Sequence, residues 1–188
     1  MQLHSRSRVR RIALLAMCSA LAMILSYVEI LIPFSFGIPG VKLGLPNFLT
    51  VILLYIGRPI HSNGWYREGL VNAGIVLCVR IILIAILFTN LYAMFYSMAG
   101  GLLSLLCMWL VSRISKISPL GCSMIGGIAH NLGQLLVATL IVSQLKLVYY
   151  MPVLLLAGIL TGFVIGILSN IILSKRGVRE YYDRFFKG

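Results

Sequence analysis

The chain is poor in acid: four carboxylates, Glu29, Glu68, Glu180 and Asp183, stand against sixteen Lys and Arg in 188 residues. With a single aspartate, out in the C-terminal tail, no pair of carboxylates is poised to hold magnesium or to work as acid and base. There is no Gly-x-x-x-x-Gly-Lys-Ser/Thr phosphate loop, so any energy drawn from ATP has to come from a partner. Cys18, Cys78, Cys107 and Cys122 lie in or at the ends of apolar segments, with no Cys-x-x-Cys spacing and no histidine at metal-ligand spacing. They read as small buried residues, and neither a metal site nor a resident cofactor is expected. His130 has no nucleophile and carboxylate near it in sequence, so no catalytic residue is assigned and the chain is not read as an enzyme acting alone.

Apolar surface is what the chain has in excess. Hydrophobic residues make up 60% and the mean hydropathy is +1.01, more than a soluble domain of this size could hide. The net charge of +12 does not indicate nucleic-acid binding, because the basic residues are scattered between long apolar runs instead of clustering with aromatics.

The runs number six: 12–32, a second that opens through Val41-Lys42-Leu43-Gly44-Leu45-Pro46-Asn47 and ends near Ile56, then 69–88, 93–112, 121–142 and 151–173. Each is read as a helix crossing a hydrocarbon core of about 30 Å at about 1.5 Å per residue. The first could be a signal peptide with Ala20-Leu21-Ala22 as its small-residue site, but apolar residues continue beyond Ala22, so it is read as retained. The expectation is an all-α integral membrane protein. A six-helix bundle over 12–173 follows a basic segment 1–11 and precedes an amphipathic tail 174–188 rich in Lys, Arg, Tyr and Phe.

Charge orients the bundle. One set of ends and loops carries Arg6, Arg8, Arg10, Arg11, Arg58, Arg67, Arg113, Lys116, Lys175, Arg176, Arg179, Arg184 and Lys187; the other carries only Lys42 and Lys146. Both termini are therefore expected in the cytoplasm, with the chain in the cytoplasmic membrane among its lipids.

Polar residues inside the spans mark candidate sites. Arg80 falls near the middle of the third span, where a charge costs about 2.5 to 3.5 kcal/mol on insertion scales. It reads either as half of a structural pair, Glu29 being a candidate partner, or as an anion-binding group. His130, Asn131 and Gln134 lie on one stripe of the fifth span, within Gly126-Gly127-Ile128-Ala129-His130-Asn131-Leu132-Gly133-Gln134. Lipid offers them no hydrogen bonds, so they face protein or a cavity: a structural cluster or a ligand site at the depth of Arg80. Ala13, Ala16 and Ala20 form a small-residue stripe on the first helix, suited to another helix or another subunit. Gly158, Gly162 and Gly166 form a packing stripe on the sixth. Segment 33–42 is expected to lie as a loop above the polar residues.

The strings Pro39-Gly40-Val41-Lys42-Leu43-Gly44-Leu45-Pro46-Asn47, Ala99-Gly100-Gly101-Leu102-Leu103-Ser104 and Ala129-His130-Asn131-Leu132-Gly133-Gln134-Leu135 resemble those of the Gx transporter family, also called heptaprenyl diphosphate synthase component I, over roughly residues 9–175. The two names imply two functions. The first is a six-helix protein similar to the substrate-binding S components of energy-coupling-factor transporters. Their Ala-x-x-x-Ala face on the first helix, matched here by Ala16 and Ala20, docks on a transmembrane coupling subunit driven by ATPases, and their outer loop between the first two helices closes over a small-molecule ligand. The second is an accessory membrane subunit for a separate soluble prenyl synthase making the menaquinone side chain; a lone aspartate cannot supply the aspartate-rich motifs of the catalytic subunits. The transport-like reading is placed first, the accessory one second and a purely structural membrane module third. The ligand roles proposed from position are anion binding for Arg80, hydrogen-bond specificity for His130, Asn131 and Gln134, and an outer mouth lined by Lys42 and Asn47.

Overall fold

A computed structural model describes residues 2–31, 44–56, 67–114, 116–175, 177–178 and 180. Among them are six α-helices and no strand: α1 (Gln2–Leu31), α2 (Asn47–Ile56), α3 (Arg67–Phe88), α4 (Leu91–Ser112), α5 (Pro119–Val142) and α6 (Met151–Leu173), the last entered through a 3-10 turn, Leu145–Tyr150. Five stretches are long and apolar enough to cross a membrane: Arg8–Leu31, Glu68–Phe88, Leu91–Ser112, Pro119–Ile141 and Leu145–Leu173. The molecule is a multi-pass, all-helical membrane protein. Most of the tail and all of 32–43 lie outside the described residues.

Local chemistry starts and stops these helices. Asn90 caps α4 by accepting a hydrogen bond from the Ala93 N–H at 2.9 Å, so a two-residue turn suffices after α3. Ser118 caps α5 in the same way through Gly121 N–H, and Pro119 occupies the first turn, where its missing N–H costs nothing. Ser143 closes α5 in the left-handed region at φ 53°. Helix α1 begins at Gln2, so the basic stretch expected ahead of the first span is itself helical. Thirty residues give about 45 Å at 1.5 Å per residue, longer than the hydrocarbon core.

The second apolar segment departs most from expectation. Helix α2 has ten residues, about 15 Å, too short to cross a bilayer alone. Eight of the ten are buried, and α3, α4, α5 and α6 surround it. Hydropathy registers how apolar a segment is, whether lipid or protein covers it, so a core helix and a span look alike in the sequence.

Close backbone contact organises the other half of the bundle. Helices α5 and α6 run antiparallel, with Gly158 against Gly127, Gly162 against Ser123 and Met124, and Gly166 against Leu120. A Cβ on Gly162 would stand 2.6 Å from the Ser123 carbonyl oxygen, and one on Gly166 2.7 Å from the Leu120 Cα. On its other side α5 meets α4: Gly133 lies against Ala99 and Gly100, the Ser104 hydroxyl donates to the Gly126 carbonyl at 2.8 Å, and the Cys122 thiol lies 3.4 Å from the Met108 carbonyl. With no hydrophobic force between helices in lipid, such close van der Waals and hydrogen-bond contact is what binds them.

Helix α1 stands at the edge, packed chiefly on α3. The two run parallel, joined by Arg11 to the Asn72 side-chain oxygen at 2.7 Å near one end and by the Tyr27 and Phe88 rings, 4.8 Å between centroids, near the other. Parallel α1 and α3 require the chain to return between them. Followed through its antiparallel neighbours, the start of α1 and the end of α6 lie at one end of the bundle. Ala13, Ala16 and Ala20 point outward on a face of α1 that no other helix among the described residues covers, among exposed Met17, Leu21 and Ile24.

Gly127→Ala should lower the thermal unfolding midpoint in detergent, because the added methyl runs into the Gly158 carbonyl and α5 and α6 must part, at a cost of about 1–3 kcal/mol or more. Gly74→Ala, whose Cβ would meet Leu105 at an ordinary 3.7 Å, should leave the midpoint unchanged or slightly raised.

Candidate functional site

The site grows from the turn that precedes α2. Gly44 sits at φ +69°, a conformation that glycine adopts without strain, and its carbonyl accepts the Asn47 N–H at 2.8 Å. Phe48 and Leu49 continue the tight turn by bonding back to Leu45 and Pro46, so Pro46 stands just ahead of the helix and blocks nothing. This turns Asn47 inward, where it is buried. The Gly44 N–H donates to the Glu29 carboxylate, tying the turn to the last part of α1.

Beneath the turn lies a cleft of about 60 Å³. Its polar wall comprises Ser26 and Glu29 from α1, Asn47 from α2, Arg80 from α3, Thr89 and Ser97 around α4, and His130 from α5. Arg80 is 9% exposed, which places a guanidinium inside the bundle. Two features offset the cost of burying it. Its Nη1 donates to the Ser26 hydroxyl at 3.1 Å, and Glu29, of opposite charge, lines the same cleft. The Ser26 hydroxyl in turn donates to the Ala22 carbonyl at 2.9 Å, which leaves its oxygen turned to the arginine.

A second space, about 10 Å³ and so the size of one water, continues inward past Gly44, Asn47 and His130 to Asn131, Thr161 and Ser123. His130 lies on the wall that the two share. Among the described residues no three of His, Cys, Asp and Glu gather as metal ligands.

The candidate residues thus separate. Arg80, His130 and Asn47 meet at the cleft. Asn131 lines the inner space, but its Nδ2 donates to the Leu154 carbonyl of α6 at 2.7 Å, which makes it a strut between α5 and α6. Gln134 is buried with its side chain against Gly100 of α4 and is not part of the cleft wall. Lys42 lies outside the described residues. Glu29, named from the sequence as a candidate partner of Arg80, lies on the same wall, and Ser26, Thr89 and Ser97 join it without having been singled out. The signal for Ser26 was the spacing Ser19, Ala22, Ser26, Glu29, a stripe on the face opposite the alanines.

The profile of a family described as heptaprenyl diphosphate synthase component I matches residues 18–172, from within α1 to the last turn of α6. No curated protein and no solved structure matches the chain.

Asn131→Ala should destabilise the bundle by about 1–2 kcal/mol, since it removes a buried interhelical hydrogen bond. The measurement is unfolding in mixed micelles. Unchanged stability would show that the Leu154 carbonyl is satisfied without the side chain.

Proposed function

The chain belongs to the heptaprenyl diphosphate synthase component I family, and from that premise we propose that it is a membrane subunit that binds a small ligand in its interior and works with partner proteins. In the preferred reading it acts as a substrate-binding, S-component-like subunit of a transporter energised by partner ATPases. One observation carries this reading: a buried arginine opens onto a cleft that also gathers Ser26, Asn47 and His130. A charged side chain inside a span is costly, and such residues characteristically face a cavity or the bundle interior and serve a ligand or ion. In this reading Arg80 holds an anionic group of the ligand, Asn47 and His130 supply hydrogen bonds, and Lys42 lines the mouth. Asn131 and Gln134 shape the pocket from behind.

In the accompanying topology both termini lie in the cytoplasm, and the chain passes six times, the second being the return that includes the protein-enclosed α2. The parallel run of α1 and α3 supports the return pass, and Arg8, Arg10, Arg113, Lys116 and Lys175 fall at one end of the bundle while Lys146 falls at the other. Ala16 and Ala20, outward on the edge helix, suit the docking of a coupling subunit.

The second reading, favoured by the description of the matched family, is a non-catalytic membrane component that anchors a soluble prenyl synthase subunit or receives its product. The two readings separate by what accompanies the protein. Purification from the native membrane in mild detergent, with mass spectrometry of proteins and small molecules, should recover a transmembrane coupling protein with ATPases under the first. It should recover a soluble prenyl synthase subunit or bound isoprenoid under the second.

Arg80→Met should abolish recovery of the bound small molecule while the protein stays folded; a loss of stability equal to the loss of binding would make Arg80 structural. Ala16→Leu should reduce recovery of the coupling protein several-fold, and undiminished co-purification would count against the transport reading.

A further inference from the structure

Arg80 is already engaged by α1. Ser26 and Glu29, three residues apart and so on one face of that helix, both line the cleft. The Ser26 hydroxyl accepts one N–H of the guanidinium, which sets this face of α1 against Arg80. Glu29 lines the same space and accepts the Gly44 N–H. Arginine has five donors in a fork that suits a carboxylate or a phosphate, and Ser26 takes one of them. At about 10–15 Å³ for each water, a cleft of about 60 Å³ holds a few waters or one small anionic head group. A second anion admitted beside Glu29 would meet a like charge where little solvent screens it.

We infer that Glu29 is a built-in competitor at this site: the anionic group of a ligand takes the Arg80 guanidinium by displacing the influence of α1's own carboxylate. The inference rests on the reading of the cleft as the ligand site. It narrows that reading to a ligand presenting one compact carboxylate- or phosphate-like group, and it gives α1 a part in binding. An anion that weakens the hold of Glu29 on the cleft weakens the attachment of α1, and by linkage whatever holds α1 elsewhere changes the affinity for the anion. Helix α1, packed chiefly on α3 and bare on its alanine face, is the element through which occupancy of the cleft reaches a partner.

The test uses the full chain in phosphatidylcholine nanodiscs with inorganic sulfate as the probe, binding being read from the shift of the unfolding midpoint with sulfate concentration. Glu29→Gln should tighten sulfate binding about tenfold or more relative to the unaltered chain, because a neighbouring like charge is gone. Glu29→Asp, which keeps the charge but withdraws it, should fall between the two and carries the comparison if the glutamine variant does not fold. Sulfate affinity that is unchanged or weaker in these variants, while still lost in Arg80→Met, overturns the competition and leaves the ligand site standing. Sulfate binding that survives Arg80→Met, or is absent from every variant, overturns both.

Discussion

In lipid no hydrophobic force presses one helix against another, so a bundle coheres only as far as its backbones can approach. Here that approach is concentrated on α5. One side of it meets the Gly158, Gly162 and Gly166 stripe of α6, and the other meets Ala99, Gly100 and Ser104 of α4. The polar residues of α5 depend on this sandwich. Asn131 reaches the Leu154 carbonyl because the Gly127 and Gly158 backbones touch one turn away, and His130 stands at the cleft because Gly100 and Gly133 let α4 and α5 close. The short buried α2 then fills the space these helices leave, and it presents Asn47 to the cleft.

The lipid-facing half of the fold was legible in the sequence, since five of the six apolar runs are long, uninterrupted and bounded by polar or proline-containing turns. The second run was not. Its ten helical residues are enclosed by protein, and composition alone does not tell an enclosed helix from a spanning one. At the site, Arg80 and His130 stood out because charge and imidazole are costly at such depth, and they do meet. Asn131 and Gln134 carried the same signal and went elsewhere, one to a carbonyl of α6 and the other to the α4 contact. Spacing on a helix gives the face but not the neighbour. Glu29 was legible as a candidate partner of Arg80, being the one acid within the apolar runs, whereas Ser26 was harder to see, because one small hydroxyl resembles an ordinary span residue until the fold sets it on the guanidinium.

The two faces of α1 divide its work. The inner face carries Ser19, Ala22, Ser26 and Glu29 toward the bundle, and the outer face carries Ala13, Ala16 and Ala20 away from it. A helix attached chiefly to one neighbour, with the polar wall of the cleft on one side and a small-residue surface on the other, joins an interior cleft to the exterior of the protein without a long path between them.

The order of the chain gives the pair at the cleft a further meaning. Translation delivers α1, with Ser26 and Glu29, before α3 exists, so the carboxylate is made before the guanidinium has to enter the bilayer. Once α3 packs on α1, Arg80 does not face hydrocarbon alone: α1 holds a hydroxyl against its guanidinium and a carboxylate on the same cleft wall. Ser26 and Glu29, which line the mature cleft, thereby also act as the receiving group for a cation that the membrane would otherwise resist.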